Sequence, residues 1–267
     1  MTCISPYRIL EYAFAILPLD IVVYHIIPHV ARNWLFVNRF WRDIAFSNLL
    51  SDDRIDPTHT ENDPIRWAVQ AGYDKVVALL LADSRVNHAL LNDNQCVTKL
   101  IEMAATVGHD KIVARLLAIP RVDFTAGYNV ALLMATKEGH DKVVALLLTS
   151  PYTVNPATIE DSNFTLIEWG AMKGHDKVVA TLLADPRIDP SVADNGAIQM
   201  AASGGYDKVV ALLLADPRVD PTAENNAAIE MAVAYDHPNV FHQLLDDPRV
   251  NDTVDLSILH HIYKNAT

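Results

Sequence analysis

The chain has 267 residues, of which 51% are hydrophobic and 7% aromatic, and its formal net charge is −12. The dominance of Leu, Ala and Val over aromatic residues favours helical packing over a β-sandwich. Residues 1–50 hold four basic and three acidic side chains, so the acidic excess lies entirely in residues 51–267. A phosphate backbone requires a basic surface, so this excess argues against nucleic acid as a ligand. A solvated acidic surface that keeps the chain soluble is the simplest interpretation.

The cysteines bear on the cellular compartment of the protein, and the apolar N-terminal stretch bears on membrane insertion. Cys3 and Cys96 are the two cysteines, and they have neither paired nor metal-ligand spacing. This predicts an intracellular protein, cytoplasmic or nuclear, without a disulfide or metal framework. Residues 9–30 are largely apolar but are interrupted by Pro18 and Asp20. A membrane span needs about 20 apolar residues, so we expect a soluble helical element, neither an anchor nor a secretory signal.

The first fifty residues predict two short helices. Proline at position 18 and aspartate at position 20 suit the first turn of a helix, and Pro28 marks the end of that helix. A second apolar helix would run from about Asn33 to Leu50. Two such short helices cannot bury their own apolar faces well. They therefore need either the segment that follows or a partner protein.

Two segments of this region resemble an F-box. They are Leu17-Pro18-x-Asp20-Ile21 and, after Leu35, Val37-Asn38-Arg39-Phe40-Trp41-Arg42-Asp43. The pattern departs from the family at Asn38, where cysteine is common, at His25, where an aliphatic residue is usual, and in its shorter spacing. F-box segments dock on the Skp1 adaptor of cullin–RING ubiquitin ligases, so the resemblance implies Skp1 contacts at Leu17, Pro18, Ile21, Leu35, Val37 and Trp41. The alternative is a helix pair that only caps the first of the repeats described next.

A short sequence motif recurs along the rest of the chain. Its copies begin with a glycine, at Gly72, Gly108, Gly139, Gly174 and Gly205, each followed by His or Tyr and then Asp-Lys. The glycines follow one another after 36, 31, 35 and 31 residues, and a degraded sixth copy comes last. A period in the low thirties is typical of stacked helical repeats. The predicted units span about residues 53–84, 85–120, 121–152, 153–186, 187–217 and 218–248.

Each unit predicts a pair of helices. A first helix of the form Ala-Ile-x-Met-Ala-Ala ends at a glycine in the left-handed conformation that closes helices. A second helix, Lys-Val-Val-Ala-Leu-Leu-Leu-Ala, ends at Asp-Pro because proline cannot continue it. Within this helix Val209, Val210, Leu213 and Leu214 are expected to be apolar contacts. A recurring alanine in the first helix predicts close helix packing, at Ala104, Ala135, Ala201 and Ala232.

This pattern resembles the ankyrin repeat, which implies an all-α helical-repeat solenoid. It departs from the family where Thr-Pro-Leu-His is replaced, for example by Gly196-Ala197-Ile198-Gln199. The asparagine before the first helix, as at Asn195 and Asn226, is predicted to cap that helix instead. The Asp-Pro-Arg-Val-Asp-Pro turns are similar to those of proteins that some giant DNA viruses and amoebae encode in large families. The predicted domains are 1–52, F-box-like; 53–248, six variant ankyrin repeats; and 249–267, a C-terminal capping half-repeat.

The sequence predicts neither an enzyme nor a cofactor or metal site. His109, His140 and His175 hold one equivalent position in successive units, too far apart to share a metal ion, so we interpret them as structural turn residues. No nucleophile-and-base set, P-loop or dinucleotide motif is present. Binding of a protein is the expected activity.

The resemblance to ankyrin repeats places candidate partner contacts near the turn before each first helix and near its closing glycine. Large side chains at these positions are the best anchors. The candidates are Phe164, Met172, Lys173, Tyr128, Lys137, Glu138 and Tyr235. Trp169 has two interpretations, since it is a possible anchor but aligns with Met103, Met134, Met200 and Met231, which favours the core.

Together these features predict a substrate-recognition subunit of an SCF-type ubiquitin ligase. Its partners would be a Skp1-like adaptor and an unidentified protein substrate, in a host cell if the source is viral. The alternative is a non-enzymatic ankyrin scaffold or inhibitor that binds a cellular protein without a ligase.

Overall fold

The computed structural model describes residues 64–86, 94–119, 125–150, 156, 159–161 and 164–254. The F-box-like segment, residues 53–63 and the predicted C-terminal helix lie outside these ranges. The described residues are mostly helical, with two short strands, so the predicted all-α class is confirmed.

The helices come in consecutive pairs, and each pair falls inside one predicted repeat unit. The elements are α1 Pro64–Gln70, α2 Asp74–Ala82, α3 Asn94–Val107, α4 Asp110–Leu117, α5 Thr125–Lys137, α6 Asp141–Thr149, β1 Glu160–Asp161, β2 Phe164–Thr165, α7 Leu166–Met172, α8 Asp176–Leu183, α9 Val192–Ser203, α10 Asp207–Ala215, α11 Ala223–Ala234, α12 Pro238–Leu245 and α13 Pro248–Asn251. We call the odd-numbered helices α1 to α11 the first helices and the even-numbered helices α2 to α12 the second helices.

The chain divides into two compact units, one of residues 1–100 and 118–122 and the other of residues 101–117 and 123–267. In the described part of the smaller unit, α1 packs on α2, and the rings of Trp67 and Tyr73 lie 5.1 Å apart. In the larger unit the first helices pack in order, α5 on α7, α7 on α9 and α9 on α11. The second helices α4 to α12 pack in the same order, so this unit has two layers of helices.

The core of the larger unit lies between these layers. Val209, Val210 and Leu213 of α10 are fully buried, as predicted from their spacing, whereas Leu214 is half-buried. The recurring alanines of the first helices are buried as well, at Ala104, Ala135, Ala201 and Ala232. Small side chains at these positions let neighbouring helices approach closely, which confirms the reason for their recurrence.

The turn between paired helices interlocks with the next unit. Gly139 has φ +80°, which favours glycine, and a Cβ atom there would lie 2.7 Å from Nδ1 of His175. The same imidazole donates from Nε2 to the carbonyl oxygen of Lys137 at 2.9 Å. His140 and His237 make the equivalent bonds to the carbonyl oxygens of Thr106 and Ser203, each at 3.0 Å. The prediction that His140 and His175 are structural turn residues is therefore confirmed.

The Asp-Pro-Arg motif also joins neighbouring units. Arg218 bonds the carboxylate of Asp216 and the carbonyl oxygens of Ile188, at 2.8 Å, and Leu183, at 3.0 Å. Arg249 repeats this arrangement with Asp247, and its guanidinium bonds the carbonyl oxygens of Val219 and Leu214. The sequence analysis predicted only that this motif ends the second helix. The arginine in fact joins the turn to the preceding second helix.

Left-handed turns within the first residues of α9 and α11 correct the predicted capping role of asparagine. Ala193, Asp194 and Asn195 have φ of 51°, 52° and 60°, a left-handed turn that recurs at Glu224–Asn226. The Oδ1 atom of Asn195 accepts from the backbone N–H of Asp220 at 2.7 Å. Asn226 bonds Thr253 through both its Oδ1 and its Nδ2. Because these side chains bond the following turn, they bridge neighbouring units and do not cap their own helices.

Candidate functional site

One helical position carries a large apolar side chain in every described unit. It lies five residues before the residue that closes the first helix, and in the larger unit it is occupied by Met103, Met134, Trp169, Met200 and Met231. Trp67 holds the same position in α1. We call Met134, Trp169, Met200 and Met231 the Met/Trp row, because they lie on the consecutive helices α5, α7, α9 and α11, which pack side by side.

This position lies at the edge of the core, where its side chains are only partly covered. Met134, Trp169 and Met200 are half-buried in the described structure, and Met231 is 37% exposed. The helices are buried instead through the small residues that follow the row, such as Ala201 and Ala202. An apolar row that remains accessible on adjacent helices is typical of an interaction surface.

The centre of the row is an aromatic cluster, formed by Phe164, Trp169 and Lys137. The rings of Phe164 and Trp169 meet edge to face, with their centroids 5.6 Å apart. The Nζ atom of Lys137, from the preceding first helix, lies 3.9 Å from the centroid of Trp169. Such a cation–π contact contributes about 0.5–1 kcal/mol at an exposed site. The cluster thus joins α5, β2 and α7 while all three side chains remain half-exposed.

A local hairpin and a helix cap position this cluster. Strands β1 and β2 pair antiparallel, with Asp161 opposite Phe164. Thr165 then begins α7, because its backbone N–H and its hydroxyl both donate to Oε2 of Glu168, each at 2.8 Å. Glu168 is 2% exposed, and its other carboxylate oxygen would collide with any Cβ atom at Gly196. The glycine therefore leaves room for the buried carboxylate that bonds Thr165, the residue after Phe164.

The remaining predicted contacts fall near the ends of the first helices. Met172 is half-buried and lies one helical turn after Trp169, on the same face of α7. Lys173 and Glu138 are exposed residues directly after α7 and α5. Tyr235, directly after α11, is 60% exposed. The structure thus places Met172 beside the aromatic cluster and Tyr235 two first helices away from it.

Other predicted contacts are not described. Tyr128 belongs to α5, but its side chain lies outside the described part. The same holds for the whole predicted Skp1-binding set, Leu17, Pro18, Ile21, Leu35, Val37 and Trp41. These contacts therefore stay predictions.

Sequence reasoning missed one feature of this surface, the separation of charge along it. Residues 189–206 and 220–237, which contain the first helices α9 and α11, hold six Asp or Glu residues and no Lys or Arg. By contrast, Lys137 and Lys173 lie at the ends of α5 and α7. Counting lysine and arginine in each first helix together with the residue that follows it would have revealed the difference. Averaging the charge over residues 51–267 concealed it.

Comparisons with known proteins yield no assignment. No model of a known protein family matches the chain, and no curated protein matches it. Within the described ranges, no group of three His, Cys, Asp or Glu side chains could hold a metal ion. None of the helices in those ranges is long and apolar enough to cross a membrane.

Proposed function

We propose that the chain is a protein-interaction adaptor that docks a partner on the Met/Trp row. The observation that supports this most is the aromatic cluster. Phe164, Trp169 and Lys137 combine partly accessible aromatic area with a positive charge, and aromatic side chains are common anchors in protein interfaces. The side chains are also held in place by the capped start of α7, so little mobility is lost on binding.

We further propose that the helix pairs form a variant ankyrin-type solenoid. Three features support this: first helices of the larger unit packed side by side, closing glycines with positive φ, and a ring of the next repeat against Gly108, Gly139, Gly174 and Gly205. In such arrays each unit contacts its neighbours and presents one side of its first helix for binding.

The F-box-like segment supports the more specific proposal of an SCF-type ligase subunit. In that role the segment would bind a Skp1-like adaptor while the repeats hold a substrate protein. The chain would contribute no catalytic group, metal or cofactor, because its effect would be to raise the local concentration of substrate near the ubiquitin-carrying enzyme. It would act inside the cell, in the cytoplasm or the nucleus. A scaffold or inhibitor without a ligase is the second candidate, in which the N-terminal helices only cap the repeats.

Co-purification with Skp1 separates these two candidates. The ligase proposal predicts a stable complex with Skp1 that is lost when Leu17→Asp and Trp41→Asp are combined. Circular dichroism and thermal unfolding would show that the double variant still folds. Absence of the complex, or equal binding by the double variant, would leave the scaffold as the better description.

A further inference from the structure

The last two first helices carry charge of a single sign. In residues 189–206 and 220–237 all six ionised side chains at neutral pH are carboxylates, and Asp194, Glu224, Glu230 and Asp236 are exposed among them. The C-terminal ends of α9 and α11 lie at the same edge of their layer, and each adds the negative end of a helix dipole. Arg218 and Arg249 of the adjoining turns lie near Asp189 and Asp220, so the negative charge of these two segments is carried mainly by Asp194, Glu224, Glu230 and Asp236.

Exposed apolar area lies within the same charge. Met231 and Tyr235 are 37% and 60% exposed, and they lie four residues apart, on one face at the end of α11. Glu230 directly precedes Met231, and Asp236 directly follows Tyr235. Carboxylates therefore border the apolar pair at both ends. We call Glu224, Glu230, Met231, Tyr235 and Asp236 the acidic patch.

Two of the acidic residues lie in the left-handed turns at the start of α9 and α11. Asp194 and Glu224 lie in left-handed turns that are fixed from the following unit, by Asn195 bonded to the N–H of Asp220 and by Asn226 bonded to Thr253. Preorganised charges lose little conformational freedom when a ligand binds. A carboxylate on such a turn, such as that of Glu224, can therefore pair with a positive charge of a partner at little cost in conformational entropy.

We propose that the acidic patch binds a positively charged segment of the partner protein, in which an aliphatic side chain contacts Met231 and Tyr235 and flanking Arg or Lys residues pair with the carboxylates. This inference rests on the proposed function, since it identifies the chemistry of a partner for the same layer of helices. Charge complementarity decides among the possible occupants. A nucleic acid would be repelled, and a second copy docked through the same patch would bring like charges together.

The test uses the full chain and two labelled peptides in fluorescence anisotropy. The first peptide has four arginines around a central Leu-Met pair in a Gly/Ser background, and the second has glutamate in place of arginine. We expect the arginine peptide to bind and the glutamate peptide not to bind. Binding of the arginine peptide should weaken about tenfold or more between 50 and 300 mM salt, because exposed charges are screened. Equal binding of both peptides would overturn the inference.

Two triple variants with the same change in net charge locate the site. Glu224→Gln, Glu230→Gln and Asp236→Asn together should weaken binding about tenfold or more. Asparagine at position 236 also suits its positive φ of 58°, so this variant should fold. The control combines Asp207→Asn, Asp246→Asn and Asp252→Asn, three exposed carboxylates outside the first helices. It should change the affinity less than about twofold, and an equal loss in both variants would overturn the inference.

Failure of this inference differs from failure of the proposed function. If Phe164→Ala abolishes partner binding while the acidic triple variant binds normally, the adaptor proposal stands and the inference is wrong. If the peptide binds the acidic patch as expected but Skp1 does not co-purify, the inference stands and the ligase proposal falls. A dimer in light scattering that the acidic triple variant abolishes would assign the patch to a second copy and overturn the inference.

Discussion

The imidazole of His175 lies so close to Gly139 that no other residue fits at position 139 without a shift. Gly139 belongs to the turn after α5, and His175 belongs to the turn after α7, one unit later. The contact makes the closing glycine of one unit part of the interface with the next. Near it, the Nζ atom of Lys137 in α5 lies 3.9 Å from the ring centroid of Trp169 in α7, so the same two helices also meet at the aromatic cluster.

Gly139→Ala should therefore destabilise the protein through two separate effects. The left-handed backbone costs about 1–2 kcal/mol for alanine, and overpacking against His175 adds about 1–3 kcal/mol. Chemical denaturation with urea would measure the loss. Glu138→Ala, an exposed change at the adjacent residue, should stay within about 0.5 kcal/mol of the wild type. Equal stability of the two variants would contradict the interlock.

Leu213→Ala tests the assignment of the core. The side chain is fully buried in α10, so its truncation should cost about 2–5 kcal/mol of unfolding free energy. Lys208→Ala removes an exposed side chain from the same helix and should cost little. The thermal unfolding temperatures of both variants give the comparison. Similar decreases would mean that the face of α10 has been assigned wrongly.

The arginine of the Asp-Pro-Arg turns should make the free energy of unfolding depend on pH in the acidic range. The hydrogen bond and charge of Arg218 hold the pKa of Asp216 below its ordinary value of 3.8, and Arg249 does the same to Asp247. A carboxyl group whose pKa is lowered by folding stabilises the folded state above its unfolded pKa. That contribution is lost as the pH falls below 3.8 towards the folded pKa.

Arg218→Gln should cost about 1–4 kcal/mol at pH 7. Its bonds to two carbonyl oxygens contribute about 0.5–1.5 kcal/mol each, and the exposed ion pair adds at most about 1 kcal/mol. The cost should shrink at an acidic pH well below 3.8, because the partner carboxyl group is progressively protonated there. Urea unfolding at both pH values gives this difference. Arg115→Gln, at an exposed position in α4, serves as the control, and a cost independent of pH would contradict the role of the ion pair.

Much of the fold could be predicted because it depends on residues close in sequence. The spacing of Val209, Val210 and Leu213 locates the buried face of α10, and the closing glycines locate the turns. The bonds of Arg218 to Ile188 and of Asn195 to Asp220 join residues about 30 and 25 apart. They depend on how neighbouring units align, which no local pattern determines.

The candidate site shows the same limit. Sequence comparison between units selected Phe164 because it replaces the polar residues found at its position elsewhere. The same comparison assigned Trp169 to the core, since periodicity shows that a position is apolar but not which neighbour covers it. Only the packing of α5 against α7 shows that Trp169 lies under Lys137 and remains half-exposed.

The left-handed turns store backbone strain that a substitution can release. Ala193→Gly should stabilise the protein by about 0.5–1 kcal/mol, because relief of about 1–2 kcal/mol at positive φ exceeds the entropy that glycine adds to the unfolded chain. Ala211→Gly, the same change at an exposed helical position in α10, should destabilise it by about 1 kcal/mol. Urea unfolding measures the change in unfolding free energy of both variants. Changes of opposite sign would support the left-handed turn at Ala193, and a lower stability of both variants would contradict it.

The central claim is that the Met/Trp row is the surface that docks a partner protein. The most direct measurement is quantitative affinity capture from the cells in which the protein is expressed, with the wild type, Phe164→Ala plus Trp169→Ala, and Lys177→Ala plus Lys208→Ala as the control. The control changes exposed residues of the second helices. We expect the wild type and the control to capture the same proteins, and the aromatic variant to lose at least one of them while its unfolding temperature stays within a few degrees. Identical capture by all three would contradict the claim.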